Sequence, residues 1–259
     1  MLFDHLNASD LGASSQRQRH QSLLTSLGEA FQLELVTRNV AELIRPNPPK
    51  RREESELAAF TPEEAALFLA AAQTNHRGEW FVFALSTGMR RGELCVLRWQ
   101  DINWKASTLS VTETVVDDGG RVIVSAPKTA GSKCTKHLSP DIMQLLTAHR
   151  ERQAEQRDML EDKRRDSGRV FTHIYGGTLL PNNMKRDMLR ICGVAGVRTL
   201  PIHGLRHTHA SLSLRRGIPV EVVSKQLGHS SVAFTLRQYR TVYVGEREAW
   251  ALNLSDILT

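Results

Sequence analysis

Apolar residues recur at helical spacing along most of this chain and alternate with polar ones only between about residues 109 and 138. Leu23, Leu24, Leu27 and Phe31 mark a first helix, with Arg17, Arg19 and His20 near its start. A proline- and charge-rich stretch over residues 45–54 then reads as an extended, solvated linker. Thr61, Pro62, Glu63 and Glu64 predict a sharp helix start. The threonine and the glutamate three residues on form a capping box, and proline suits the first turn. Residues 65–72 continue that helix. A second apolar helix is expected over residues 80–85 and stops at Gly88, and a third carries residues 90–99.

Strand character follows. Leu109, Val111 and Val115 fall on one alternating face, and Ser110, Thr112 and Thr114 fall on the other. A turn at Asp117, Asp118, Gly119 and Gly120 returns the chain as a second strand over residues 122–126. A third strand is expected over residues 135–138, which places Lys128 near the tip of a small antiparallel sheet. Ser139, Pro140 and Asp141 cap a long helix whose second half, residues 151–166, is mostly charged and expected to face solvent. Shorter helices follow from Asn182, and a last amphipathic stretch carries Trp250, Leu252 and Leu254. The expected class is α+β and mainly α-helical: packed helices with a small three-stranded antiparallel sheet.

At 259 residues the chain can bury a full core, most simply as one large domain with an appendage. Lys and Arg outnumber Asp and Glu by 34 to 28, a net charge of +6 that favours a polyanionic partner. Cys95, Cys134 and Cys192 are scattered, which argues against a disulfide scaffold or a zinc ribbon and for a reducing, cytoplasmic setting. Residues 1–20 are polar and include Asp4, Asp10, Arg17 and Arg19, unlike a secretory leader. No apolar run approaches the roughly 20 residues of a membrane span, so no membrane partner is expected.

The densest chemistry lies between His203 and Tyr239. His203 and Arg206 are three apart and share a face of a helix. Gly217 and Pro219 end that helix and start the next. Gly228 ends the second helix and places His229 at a tight turn, and Tyr239 follows ten residues later on another short helical segment. A guanidinium fork, imidazoles and a phenol converging from consecutive short helices suit cleavage of a phosphodiester by a tyrosine. With a reference pKa near 10, the phenol is a poor nucleophile at neutral pH unless a base or cations assist it. Metal binding is the competing use of His203 and His207, which have the i, i+4 spacing of a zinc-binding helix. Position 204 is glycine rather than a catalytic glutamate and no acidic third ligand follows nearby, so no metal or other cofactor is expected. His207 and His209 are read as polar packing residues.

These residues resemble the C-terminal signature of the tyrosine recombinases, the phage-integrase family of site-specific DNA recombinases. The family's H-x-x-R, L-G-H and following tyrosine stand here as His203 and Arg206, as Leu227, Gly228 and His229, and as Tyr239. Its upstream arginine segment is matched by Thr87, Gly88, Met89, Arg90, Arg91, Gly92, Glu93 and Leu94, and its hairpin lysine by Lys128. The resemblance runs from about Thr61 to about Tyr243.

It implies attack by Tyr239 on a scissile phosphate, giving a 3′-phosphotyrosine and a free 5′-hydroxyl without metal. Arg90 and Arg206 would hold the non-bridging oxygens, since a guanidinium binds phosphate bidentately and stays charged. Arg91 is the adjacent rival to Arg90, and Glu93 would orient the Arg90 guanidinium. Lys128 would protonate the leaving 5′-oxygen, with Lys133 and Lys136 as rivals on the same hairpin. His203 would accept or relay the tyrosine's proton and His229 would bond a non-bridging oxygen. Gly204 departs from the family, which commonly has an acidic residue there. By the same resemblance, residues 1–45 correspond to a remnant of the family's helical core-binding domain. Residues 46–60 form a linker and 61–259 the catalytic domain with a C-terminal tail, so the chain looks like a truncated integrase. The expected partners are double-stranded DNA, further copies of the chain in a tetramer on DNA, and an excisionase. Two alternatives are a catalytically idle DNA-binding relic that inhibits a full-length integrase, and a type IB topoisomerase.

Overall fold

The structure, a computed structural model, describes residues 13–43, 59–118, 121–125, 135–160, 163–180, 182–229 and 231–239. The chain divides into two units, residues 1–55 and 56–259. In the first, α1 (Ala13–Gln32) is followed by a 3-10 turn at Val40–Leu43. Side chains tie that turn back to the helix: His20 Nε2 lies 3.1 Å from Ala41 O, and Asn39 Nδ2 donates to Leu24 O at 3.0 Å. Leu23, Leu24 and Leu27 are half-buried and Phe31 is exposed.

The second unit opens with α2 (Pro62–Ala72), which starts where its capping box predicts. Thr61 Oγ1 accepts from Glu64 N at 3.2 Å, and Glu64 Oε2 accepts from Thr61 N at 2.8 Å. The remaining helices are α3 (Gly78–Thr87), α4 (Arg91–Val96), α5 (Pro140–Leu160), α6 (Met184–Ala195), α7 (His203–Arg215), α8 (Val220–Leu227) and α9 (Val232–Gln238). α2 packs on α6 and α3 on α7. Their apolar faces meet around Phe68, Trp80, Phe81, Phe83, Met188 and Leu205, all fully buried. Burial of each such side chain contributes roughly 1.5–3 kcal/mol.

The fold class is as expected, but the strands are arranged differently. β1 (Ile102–Asn103), β2 (Thr108–Ser110) and β5 (Thr135–His137) form a three-stranded antiparallel sheet in the order β1-β2-β5. β3 (Thr114–Asp118) and β4 (Arg121–Ser125) form a separate hairpin. The single strand expected over residues 109–115 is therefore split. Side chains at the break bond elsewhere: Thr112 Oγ1 donates to Asp101 Oδ1 at 3.1 Å, and Arg98 pairs with Glu113 at 2.7 Å. Residues 111–113 lie outside both sheets, and β2 and β3 pair with different strands.

α4 is also shorter than the helix expected over residues 90–99. Leu97 O accepts from Val170 N at 2.8 Å, and Gly168 O accepts from Trp99 N at 3.0 Å. These bonds draw residues 97–99 into a bridge with 168–170. The charged run after α5 does not simply face solvent either, since Arg164 is only 8% exposed. Of the linker expected over residues 46–60, only Ala59 and Phe60 are among the described residues, and both are buried. Lys128, Lys133, Tyr243 and the amphipathic stretch from Trp250 lie outside the described residues. Among the described residues, no helix is long and apolar enough to cross a membrane.

Candidate active site

Two helix C-termini and one helix N-terminus meet where the sequence places its chemistry. α3 ends at Gly88 with φ 60°, and α8 ends at Gly228 with φ 63°, both in the left-handed region that favours glycine. A Cβ at Gly88 would lie 2.6 Å from His209 Cδ2 and 2.8 Å from Leu227 Cδ2, so glycine lets the end of α3 close on α7 and α8. Helix C-termini leave carbonyls without intrahelical partners and carry partial negative charge. Three cations close these ends. Arg206, on α7 and 3% exposed, donates to Gly88 O at 2.8 Å and Leu227 O at 2.6 Å. Arg90 Nη2 donates to Gly228 O at 3.0 Å. Lys136 on β5 donates to Thr87 O at 3.1 Å and to Gln226 O.

Arg90 is the N-cap of α4. Glu93, buried one turn on, accepts from the Arg90 backbone N at 2.9 Å and from its Nη1 at 2.9 Å. The structure thus orients the Arg90 guanidinium toward the end of α8 and leaves Arg91 exposed. Of the hairpin lysines, Lys136 is buried and bonded to the two helix ends rather than solvated at a tip.

His203 and His207 stand one turn apart on α7, with ring centroids 4.8 Å apart and edge to face. His203 stays on the open side of the helix. It is held below the ordinary histidine value, first by partial loss of water around the ring and then by His207, Arg206, Arg90 and Arg91. His207 was expected only to pack. Instead its Nδ1 lies 2.8 Å from the Tyr239 hydroxyl, so it and not His203 touches the phenol. Burial, and then Arg206, lower the His207 value as well. The sequence carried a signal for this in the i+4 spacing from His203, but nothing in it linked α7 to a tyrosine 32 residues away. His209 fits its expected packing role, with Nδ1 3.0 Å from Leu85 O.

His229 follows Gly228 at the turn, and its Nδ1 lies 2.7 Å from Thr235 Oγ1. Burial, then Arg206 and Arg90, push its value down to about 4. Tyr239 terminates α9 and is 1% exposed, packed with Ala210, Leu214, Val223 and Leu227. Burial pushes its phenol up to about 12, with the Arg206 charge acting in the opposite sense. Arg90, His203, Arg206, His207, His229 and Tyr239 therefore cluster at one place. Among the described residues, no group of three or more His, Cys, Asp or Glu side chains converges as metal ligands would.

Residues 58–246 match the sequence model of the phage integrase family. A tyrosine recombinase XerC-like protein of Caldanaerobacter subterraneus subsp. tengcongensis is 30% identical over 83% of this chain and 58% of its own length. The ICEBs1 integrase of Bacillus subtilis is 24% identical over 92% of this chain and 65% of its own length. The chain thus spans about six tenths of the length of these relatives. The Tn1549 transposon integrase in complex with transposon right end DNA superposes with a TM-score of 0.76 at 17% identity, covering 94% of this chain and 81% of that one. A lambda integrase dimer bound to a COC′ core site gives a TM-score of 0.57 at 19% identity, over 88% of this chain and 59% of that one.

Proposed function

Because the chain belongs to the phage integrase family, we propose that it cleaves and rejoins double-stranded DNA through Tyr239, as a site-specific recombinase acting on DNA with further copies of itself. The observation that carries this reading is the clustering of two arginines, three imidazoles and a tyrosine where α4, α7, α8 and α9 meet. The Tyr239 oxygen attacks the phosphorus and the bond to the 5′-oxygen breaks, leaving a 3′-phosphotyrosine and a 5′-hydroxyl. The ester keeps the bond energy of the broken linkage, so a second 5′-hydroxyl can reverse the step.

Arg90 and Arg206 hold the non-bridging oxygens and stabilise the charge that develops on them, and His229 adds a hydrogen bond. Neutral His207, with its proton on Nε2, accepts the phenolic proton through Nδ1. His203, at the open rim, relays that proton outward. Lys128 supplies the proton for the leaving oxygen. With Tyr239 1% exposed, attack requires its hydroxyl to leave the cluster around Val223 and Leu227, and α9 is the element that carries it.

The test uses the polarity of the break. Labelled duplex DNA, selected from a random pool by retention on the protein, is incubated with it in a chelator and precipitated with potassium and dodecyl sulfate. DNA should be recovered joined to protein, and the free end should accept phosphate from a kinase without prior dephosphorylation. Recovery of no joined DNA, or of a 5′-linked product, contradicts the proposal.

A further inference from the structure

Away from the cluster at Tyr239, the second half of α5 and residues 164–176 enclose a cavity of about 290 Å³. α4 separates the two places. It starts beside Arg90 and ends at Val96, whose carbonyl accepts from Arg169 Nη1 at 3.1 Å, and its six residues span roughly 9 Å. Five arginines line the cavity: Arg150, Arg157, Arg164, Arg165 and Arg169. Among the described residues that line it, the one carboxylate is Asp166, already paired with Arg157 at 3.1 Å. Five positive charges against one negative leave an excess of four.

Carboxylates offset the charge only in part, Asp166 acting on Arg164 and Glu113 on Arg169. Arg164 is 8% exposed, yet its guanidinium donates to neutral atoms: Ile174 O at 2.6 Å, Thr172 Oγ1 at 3.1 Å and Gln156 Oε1 at 3.2 Å. Burial first, and then the charge of Arg157, lower its proton affinity. Burial and then Arg98 do the same for Arg169. Arg150 instead lies over the rings of Trp99 and Trp104, at 5.6 Å from each centroid. Like charges gathered in a concavity repel one another and focus a positive field on whatever enters it.

We propose that this cavity is a polyphosphate-binding site, taking pyrophosphate or the triphosphate tail of a nucleotide. Planar guanidinium forks match phosphoryl oxygens bidentately, and several of them around one cavity suit an anion with several charges. A backbone phosphodiester brings a single charge and a terminal phosphate about two, so linked phosphates offset the excess best.

The test is calorimetric titration of the full chain with pyrophosphate, beside Arg157→Ala/Arg165→Ala and Arg157→Lys/Arg165→Lys. Both arginines are exposed at the rim, so the variants should melt close to the parent. Saturable binding to the parent is expected, weakened roughly 10–100-fold by the alanines, as loss of charge-assisted hydrogen bonds implies. The lysines, which keep the charge without the fork, should restore only part of it. Equal binding by parent and alanine variant overturns the proposal. So does a duplex DNA whose affinity drops in the variant while pyrophosphate shows no binding, which would make the cavity a strand contact. An acidic peptide that binds where pyrophosphate does not would overturn it in favour of a protein partner.

Discussion

Nδ1 of His207 lies 2.8 Å from the phenolic oxygen of Tyr239, across the junction of α7 and α9. It is the contact between a base and the candidate nucleophile that the structure displays, and it falls one turn beyond the histidine that the sequence motif would choose.

If His207 accepts the phenolic proton, His207→Ala should slow DNA cleavage by about 10²–10⁴, the range for general base catalysis. His207 is held below the ordinary histidine value of about 6.5. The acidic limb of the parent's pH–rate profile should therefore fall below pH 6.5, and it should be absent from the variant. Loss of that limb in His203→Ala, with His207→Ala near the parent rate, would return the role to His203.

Gly88→Ala should destabilise the fold. The residue sits at φ 60°, and a Cβ would press on His209 and Leu227. Left-handed strain alone costs roughly 1–3 kcal/mol, and the overlap adds to it. Chemical denaturation should show the midpoint moving down, while an unchanged midpoint would mean that α3 and α8 separate at little cost.

Arg206→Lys should lose stability as well as activity. A lysine at 206 lacks the paired Nη1 and Nη2 donors through which the guanidinium reaches Gly88 O and Leu227 O. Leaving a buried carbonyl unpaired costs about 1–3 kcal/mol. Thermal melting should separate this from Arg90→Lys, because Arg90 is partly exposed and bonds Gly228 O alone of the two helix ends. Equal melting of both variants would refute a structural role for Arg206.

Stability should fall with acid. Burial is the main cause that lowers His209 from its ordinary value to about 4. The unfolded chain therefore binds a proton there that the folded chain resists, from about pH 6.5 down to about pH 4. The stabilisation is present above the higher value and is lost on descent through the lower. Its size is at most on the order of 3 kcal/mol. His209→Gln should flatten the dependence of melting temperature on pH across that window. An unchanged slope would show that other groups carry it.

Local signals were read correctly from the sequence because their partners are close along the chain. The box at Thr61 and Glu64 closes within one turn, Gly217 follows the end of α7, and Pro219 and Gly228 bound α8 by backbone conformation alone. Arg90 is preferred to Arg91 in the sequence because the resembled family places its arginine two residues after Thr-Gly and Arg91 would point to a different helix face. In the structure Arg90 is the N-cap of α4 and Arg91 its first residue. What escaped depends on distant partners. Thr112 and Glu113 bond to Asp101 and Arg98, which splits a run of alternating residues into two sheets. Arg164 lies in a charged stretch that has the pattern of a solvated surface, and is buried because residues 164–176 return over α5. The bond from His207 to Tyr239 needs three helices to pack before it exists.

Covalent capture tests most directly whether Tyr239 is the nucleophile. A nicked duplex from which the cleaved end diffuses away should trap the parent protein as an adduct stable to denaturing gels, with the nucleotide mapped by mass spectrometry to Tyr239. Tyr239→Phe should bind the same duplex as tightly and give no adduct. An adduct that persists in Tyr239→Phe, or that maps to Tyr243, would contradict the account.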